Sequence, residues 1–478
     1  MPSNISKEEM MKKILSILLA CILVASMLVG CGGGGNSTTE APKTEEAKTE
    51  EAKTEAQTEE AKTEEAKTEA DGGGKSEFAG TTIEMELGWM DEPLNMLKAN
   101  VIEPFIEETG INIDLITPGT DYETVMKTRM GSNDLPDIWE THGWSIQRYK
   151  DYLLPLNDYD WIEDAMTETA YGVIRDYDGQ FYCLMVTAGC SAVEFNRDTC
   201  EKCGVDPYNL RTIAQWEEAM QKAVDNGFIG CYVGGNDIGN MGGFLDVVFP
   251  SLQTDVGCAN NQVDALLDGT YDWDKDGREP FQLIADWTNK GFFNNNVLTA
   301  TTEEAQTAVG KGESMFIVRG INNMQMARQY VPGCNVGCAP MPNSGDGNPT
   351  FKVGEGSTYG IWKDTDKLDA CLEWMRYVIR PDVAQKIGEA GGAATMTIKG
   401  AKLEDNYVFD EFEYCHEVMG ADNIAYDNIF DRKYFPSGMW GPMGDASSYV
   451  FSDPTDKGID TAVQYMKEQY ELLMNPEE

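Results

Sequence analysis

The feature that most constrains the fold is an alternation of strand and helix patterns between residues 81 and 139. Thr81–Leu87 alternates apolar and polar residues, and Pro93 opens a stretch with apolar residues at helical spacing that stops at Thr109-Gly110. The next segments predict a strand at Ile111–Ile116, a helix at Tyr122–Met130 and a strand at Ile138-Trp139. Strands separated by helices are typical of an α/β fold with a parallel sheet.

Candidate binding residues follow these strands. In parallel sheets, ligands bind beyond the carboxyl ends of the strands, which here are followed by residues 88–91, 118–120 and 140–144. Trp89 and Trp144 are predicted to lie either in a cleft or in the core. Asp91 and Glu140 are predicted hydrogen-bonding groups for a ligand, and the alternative for each is a helix N-cap or a solvated face.

A second constraint comes from Asp178–Asp198, which reads DGQFYCLMVTAGCSAVEFNRD. Two β-rich runs lie on either side of the small residues Ala188-Gly189-Cys190, and neither run has helical spacing. Extended chain that bends at small residues can cross between two lobes, and a cleft between lobes is where small ligands usually bind. The alternative interpretation is an ordinary buried hairpin.

The rest of the chain continues the mixture of helices and strands. Thr212 is a predicted helix N-cap. The glycine-rich segment 227–243 is predicted to be a loop that brings backbone close to a ligand, with Asp237 and Asn240 as candidate contacts. Other predicted elements are a helix at Thr301–Val309, strands at Ser314–Val318 and Gly354–Ile361, and helices at Leu368–Ile379 and Thr461–Met474.

The N-terminus predicts export and anchoring. Lys12-Lys13 precede the apolar run Ile14–Val29, an arrangement typical of a signal peptide (residues 1–30) and too short for a membrane span. The tetrapeptide Leu28-Val29-Gly30-Cys31 looks like a bacterial lipobox, which predicts lipidation of Cys31 and a protein anchored on the extracellular side of the cell membrane. Residues 31–78, rich in KTEEA repeats without large apolar residues, are predicted to be a disordered acidic tether.

The net charge of −44 argues against nucleic acid as a partner, because phosphate binding needs clustered lysine and arginine. Self-repulsion of so acidic a surface favours a soluble monomer.

Two short sequence patterns bear on metal and thiol chemistry, and no cofactor is predicted. Cys200 and Cys203 have CxxC spacing, for which zinc, a local disulfide or two free thiols remain open, with His142 and His416 as the only histidines. Asp272–Gly277 is similar to the start of a calcium loop, but Leu283 stands where the last acidic ligand belongs, so a solvated turn is the alternative.

Six short segments, in order, resemble the family-1 extracellular solute-binding proteins of ABC importers, the group that includes maltose-binding protein. Two departures occur: Asn322 stands where the family has a tryptophan, and Glu313-Ser314 replace small residues. The six segments are Asn133–Ile138, Leu153–Leu156, Val193–Asp198, Thr212–Glu217, Gly310–Gly320 and Val336–Pro342.

The resemblance implies a two-lobe, periplasmic-binding-protein-like (type II) fold with a hinge and an interlobe cleft. Residues 79–188 and 353–400 would form lobe 1, and residues 189–352 and 401–478 would form lobe 2. A solute that contacts both lobes would favour the closed form, which would dock on the permease subunits in the membrane.

The resemblance also implies site residues in the second half of the chain. Arg319 and Asn322 match the contact loop of the second lobe. Trp440, in the predicted loop Ser437–Pro442, matches a late stacking aromatic residue. Glu355 and Tyr359 flank the expected return crossing between the lobes.

The function expected from these features is capture of a carbohydrate, most simply an oligosaccharide, without catalysis. Sugar sites need flat aromatic rings for C–H faces and planar polar groups for hydroxyls, and the candidates above supply both. One alternative is the same fold binding a non-sugar solute such as a polyamine. Another is a surface glycoside hydrolase, although no sequence motif marks an acid/base pair.

Overall fold

The structure is a computed structural model that describes residues 76–141, 149–167, 170, 173–175, 179–436 and 438–474. The predicted signal peptide, Cys31, Trp144 and His142 lie outside the described residues, as does all of the predicted tether except residues 76–78. Those three residues belong to the folded body, since the backbone N–H of Ser76 donates to the carbonyl of Thr109 at 3.0 Å. Within the described ranges, no helix combines the length and apolar composition needed to cross a bilayer.

The described residues form strands that divide between two sheets. The strands are β1 (Thr82–Glu86), β2 (Asn112–Ile116), β3 (Ile138–Trp139), β4 (Leu184–Met185), β5 (Thr187–Asn196), β6 (Ile229–Cys231), β7 (Ser314–Gly320), β8 (Val336–Ala339), β9 (Thr350–Glu355), β10 (Thr358–Ile361), β11 (Thr395–Met396) and β12 (Ala425–Asn428).

Helices pack on both sheets, and a π-helical turn at Lys98–Ile102 joins the first two of them. The α-helices are α1 (Asp91–Leu97), α2 (Glu103–Thr109), α3 (Tyr122–Ser132), α4 (Asp160–Ala165), α5 (Arg197–Lys202), α6 (Ile213–Asp225), α7 (Ile238–Val248), α8 (Pro250–Gln253), α9 (Val263–Asp268), α10 (Arg278–Asn289), α11 (Thr302–Lys311), α12 (Met324–Tyr330), α13 (Leu368–Val378), α14 (Pro381–Gly391), α15 (Tyr407–Met419), α16 (Phe430–Lys433), α17 (Trp440–Ser452) and α18 (Asp456–Met474).

The first sheet has the order β2-β1-β3-β10-β4. β1 pairs in parallel with β2 and β3, as the strand and helix alternation predicts. β10 joins the sheet antiparallel to β3 and β4. The core on this sheet is aromatic as well as aliphatic, because Phe105 packs edge-on against Trp374 with ring centroids 5.1 Å apart.

The second sheet is built around β5, which pairs antiparallel with β7, β8, β9 and β11. β6 and β12 extend it through parallel pairing with β7 and β9. Its core includes Trp216 and Trp287, whose ring centroids lie 5.1 Å apart at 87°. Thr212 caps α6 in a capping box with Gln215, which confirms the predicted N-cap.

The chain first passes between the sheets close to the predicted small residues, but a few positions earlier in the sequence. β4 belongs to the first sheet and β5 to the second, so the hairpin alternative for Asp178–Asp198 is wrong. The break is at Val186. Ala188-Gly189-Cys190 lie inside β5 because they pair with Val353–Glu355 of β9. A second passage lies at Gly356-Ser357, between β9 and β10.

Two segments that were predicted to be loops contain regular secondary structure. The glycine-rich segment 227–243 contains β6 and the first turns of α7, which Asp237 caps through its side chain. Trp440 begins α17 rather than lying in a loop. The two helices pack on each other: a Cβ on Gly242 would lie 3.2 Å from Cε2 of Trp440, so glycine lets α17 approach α7 closely.

Candidate functional site

A cavity of about 580 Å³ lies between residues of the two sheets. Its volume falls within the range that binds small organic ligands. Four of the predicted ligand-binding residues line it, namely Trp89, Glu140, Asn322 and Glu355. The complete lining is Gly88, Trp89, Pro93, Gly119, Tyr122, Glu140, Thr187, Ala188, Gly189, Asn322, Glu355, Gly356, Ser357, Gly391, Gly392, Ala393 and Ala394.

The first wall is made by the ends of β1 and β3. These strands are parallel neighbours, so the residues that follow them meet at one edge of the sheet. Oε1 of Glu140 accepts the indole N–H of Trp89 at 3.2 Å, and Oε2 accepts the backbone N–H of Gly88 at 2.9 Å. The hydroxyl of Tyr122 donates to the backbone carbonyl of Glu140. Glu140 is only 8% exposed, and the N–H groups of Trp89 and Gly88 compensate the burial of its carboxylate.

Next to this wall, the segment after α14 contributes small residues. A Cβ on Gly391 would lie 3.0 Å from Cη2 of Trp89, so the absence of a side chain allows the indole to pack on the helix end. Gly392, at φ 62°, ends α14 in the left-handed conformation that favours glycine. The small side chains of Ala393 and Ala394 leave the neighbouring space open to a ligand.

The opposite wall comes from the two passages between the sheets. The backbone N–H groups of Gly356 and Ser357 donate to the backbone carbonyl and hydroxyl of Thr187, at 2.9 and 2.8 Å. Glu355 is 7% exposed, and its Oε1 accepts Nη1 of Arg432 at 2.9 Å. Asn322 is exposed in the 3-10 turn that follows β7. Ligand contacts to both sheets are therefore available within one cavity.

Three other predicted residues gather in a separate polar cluster on the second sheet. Asn240 and Arg319 both donate to the hydroxyl of Thr302, at 2.9 and 3.0 Å. Asn240 is 7% exposed and also donates to the carbonyl of Gly234, so its amide stabilises the fold locally. Burial lowers the pKa of Arg319, against the opposing effect of Asp237. Asp237, Asn240 and Arg319 are not among the residues that line the cavity.

The remaining predicted residues lie elsewhere. Asp91 is exposed at the start of α1 with φ 51°, and Trp440 packs on α7. Tyr359 is 1% exposed and packs edge-on against Trp374, with ring centroids 5.6 Å apart. Burial raises the pKa of Tyr359 well above its usual value, and the nearby charge of Glu140 adds to this. These residues are not among those that line the cavity, and Trp144 lies outside the described part of the chain.

The sequence interpretation missed Tyr122, Thr187, Ser357 and the segment 391–394 as lining residues. One signal was available, because Gly391-Gly392 is a helix-ending pattern. Its place beside Trp89 depends on how α14 packs, which a linear pattern does not encode.

The structure describes both the thiol pair and the calcium-like segment. Cys200 and Cys203 are both free and buried, and burial raises the pKa of Cys200 to about 12. In the described part of the chain, no three His, Cys, Asp or Glu side chains group as a metal site would require. Asp272–Gly277 forms a turn in which the Asp272 carbonyl accepts the backbone N–H of Asp276 at 2.7 Å.

The profile of the bacterial extracellular solute-binding protein family matches residues 100–411. One relative is the melibiose/raffinose/stachyose-binding protein MelE of Bacillus subtilis, 26% identical over 351 residues that cover 73% of this chain and 79% of MelE. Another is an ABC transporter extracellular-binding protein of Pyrococcus horikoshii, 24% identical over 341 residues that cover 69% of each chain.

Solved structures share the fold. The binding protein MsmE of Bacillus subtilis, in an open conformation, has a TM-score of 0.73 at 23% identity, covering 84% of this chain and 99% of MsmE. A sugar transporter protein of Bacillus licheniformis in complex with stachyose has a TM-score of 0.62 at 25% identity, covering 82% and 100%. These likenesses confirm the predicted two-lobe α/β fold. Because the family profile spans well over half of the 478 residues, this chain belongs to the bacterial extracellular solute-binding protein family.

Proposed function

We propose that this protein captures an oligosaccharide in the cavity between its two sheets and delivers it to the permease of an ABC importer. The observation that carries the proposal is the pairing of Trp89 with Glu140 at the cavity wall. An indole ring offers a flat apolar surface for the C–H face of a sugar, and a carboxylate accepts hydrogen bonds from neighbouring hydroxyls. Asn322 and Glu355 place further planar polar groups on the other side of the same cavity.

The relatives support the carbohydrate assignment. MelE is named for binding melibiose, raffinose and stachyose, and the structure from Bacillus licheniformis contains stachyose. The alignment with MelE covers most of both chains, so the similarity is not confined to one lobe.

Closure of two lobes on the sugar is the proposed capture step. We assign the predicted ranges 79–188 and 353–400 to lobe 1 and 189–352 and 401–478 to lobe 2, with the boundaries moved to the two passages. Thr187-Ala188 and Val353–Glu355 then go with lobe 2, because they belong to strands of the second sheet. The passages at Val186 and Gly356-Ser357 would act as the hinge, since few residues there must change their backbone angles. A sugar held between Trp89 and Asn322 would contact both lobes and so stabilise the closed form over the open one.

Anchoring through lipidated Cys31 completes the proposal, with the protein on the extracellular side of the cell membrane as a monomer. The acidic tether would keep the cavity away from the bilayer while limiting its distance from the permease. Cys31→Ser should release the protein into the medium. Retention of that variant in the membrane fraction would contradict the anchor.

We further propose that the protein has no catalytic activity. Both cavity carboxylates have donors in place, Trp89 and Gly88 for Glu140 and Arg432 for Glu355. These bonds hold both carboxylates at the cavity wall, where their oxygens can accept hydrogen bonds from a ligand.

Titration calorimetry tests the ligand class. Melibiose, raffinose and stachyose should each release or absorb heat with one-to-one stoichiometry, and chromatography of the recovered sugars should find them intact. Spermidine is the matched comparison, because two cavity carboxylates would also suit a polyamine. Binding of spermidine without binding of any sugar would overturn the carbohydrate assignment, and cleavage of a bound sugar would overturn the absence of catalysis.

A further inference from the structure

An arginine outside the cavity lining holds one of the cavity carboxylates. Arg432, on α16, donates from Nη1 to Oε1 of Glu355 at 2.9 Å, and the two side chains are 29% and 2% exposed. The side chains of Arg432 and Ile429 both lie close to β9 at Gly354. A Cβ on Gly354 would lie 2.8 Å from Nη1 of Arg432, so the absence of a side chain there leaves room for the guanidinium.

Acidic groups also stand on the α7 side of the arginine. The backbone N–H of Asp431 donates to Oδ1 of Asp246 at 2.8 Å, and Asp246, on α7, is 2% exposed. Burial disfavours the charged form of Arg432, but Glu355, Asp431 and Asp246 outweigh that effect and raise its pKa. The guanidinium is therefore a fixed positive charge that joins α7, α16 and the end of β9.

We propose that Arg432 is a positioning residue for ligand binding: it holds the Glu355 carboxylate in the orientation that a sugar hydroxyl meets. This inference rests on the proposed capture of an oligosaccharide in the cavity. A polar group fixed before binding loses less conformational freedom when the ligand arrives. A buried carboxylate without a cationic partner is costly, so removal of Arg432 would turn Glu355 away from its present position.

A double-mutant cycle measured by calorimetry with stachyose tests this role. Arg432→Ala should weaken stachyose binding about tenfold, a size typical of coupled neighbouring groups. Arg432→Lys should weaken it less, because lysine keeps the charge but lacks the planar fork of donors. Arg432→Ala added to Glu355→Gln should weaken binding no further than Glu355→Gln alone, because the arginine acts only through that carboxylate.

Thermal unfolding of each variant identifies effects on folding. If Arg432→Ala does not fold, the same cycle with Arg432→Lys decides the question. The inference would be overturned if the arginine substitution lowered stachyose affinity equally in the wild type and in the Glu355→Gln variant. Unchanged stachyose affinity of Glu355→Gln would overturn it as well. Failure of the wild-type protein to bind any of the three sugars would instead overturn the proposed function, and the positioning role with it.

Discussion

The indole Nε1 of Trp89 lies 3.2 Å from Oε1 of Glu140, although the two residues are 51 positions apart in the sequence. They meet because β1 and β3 are parallel neighbours whose carboxyl ends share one edge of the first sheet. The hydrogen bond fixes the ring at the cavity wall before any ligand is present. A ring fixed in this way can stack on a sugar at a low entropic cost.

Removal of that ring should weaken binding strongly. Trp89→Ala is expected to cost about 2 kcal/mol, or roughly 30-fold in Kd, as the loss of tryptophans that anchor a ligand commonly does. Trp89→Phe keeps an aromatic surface but loses the N–H that Glu140 accepts, so its loss should be smaller. Calorimetry with stachyose measures both. Equal affinities for the wild type and the alanine variant would show that the sugar does not stack on Trp89.

The close approach of Gly391 to the indole gives a more conservative test. Gly391→Ala places a methyl group 3.0 Å from Cη2 of Trp89, so the ring must shift and stachyose affinity should fall. Gly131→Ala, in α3, is the matched control because a Cβ there has nothing within 4 Å. The control should bind normally and gain up to about 1 kcal/mol of stability from helix propensity. The same affinity in both variants would contradict this geometry.

A buried carboxyl group in the second sheet predicts a pH dependence of stability. Glu194 is 1% exposed, and Nε2 of Gln306 donates to its Oε2 at 3.1 Å. Burial raises the pKa of Glu194 to about 7 from 4.5, against the lowering effects of Gln306 and Arg319. The folded state therefore holds this proton more tightly than the unfolded state does. Its contribution to stability is complete below pH 4.5 and is lost as the pH rises through 7.

Glu194→Gln should remove this pH dependence. The free energy of unfolding of the variant minus that of the wild type should therefore rise between pH 5 and pH 8. The rise should be on the order of 3 kcal/mol, because the wild type alone loses stability over this range. Denaturant unfolding at several pH values measures the difference. Glu218→Gln, at an exposed position of α6, is the control and should show no such trend. A difference between the Glu194 variant and the wild type that stays constant over this range would contradict burial of an ionisable Glu194.

Lobe closure predicts a change of overall dimensions. Small-angle scattering should show a smaller radius of gyration when stachyose saturates the protein, because the ligand stabilises the closed form. The scattering profile with melezitose, a trisaccharide that the names of the relatives do not mention, is compared with the profile at the same concentration of stachyose. Superimposable scattering profiles with and without bound stachyose would contradict closure.

The first sheet could be predicted from the sequence because each of its parallel strands has a strong local pattern. Trp89 and Glu140 could be predicted as neighbours for the same reason, since strand ends in a parallel sheet share an edge. For Tyr359, the sequence does not distinguish a core position from a cleft position. Successive residues on a strand face opposite sides, so an uncertainty of one residue in register exchanges core and cleft positions.

The glycine-rich segment 227–243 shows a second limit of sequence interpretation. Glycine is common both in loops and where two helices pack closely, and composition alone does not separate the two. Here Gly242 and Trp440, nearly 200 residues apart, lie where α7 and α17 approach closely. Asn240 stabilises the local fold, because its amide donates hydrogen bonds to the carbonyl of Gly234 and the hydroxyl of Thr302.

Determining a crystal structure of the protein with bound stachyose would test capture between the two lobes most directly. We expect a sugar ring stacked on Trp89, a hydroxyl hydrogen-bonded to Glu140, and at least one contact to Asn322 or Glu355 on the other side of the cavity. A bound sugar that lies outside this cavity, or that contacts residues of one sheet only, would contradict capture between the two lobes.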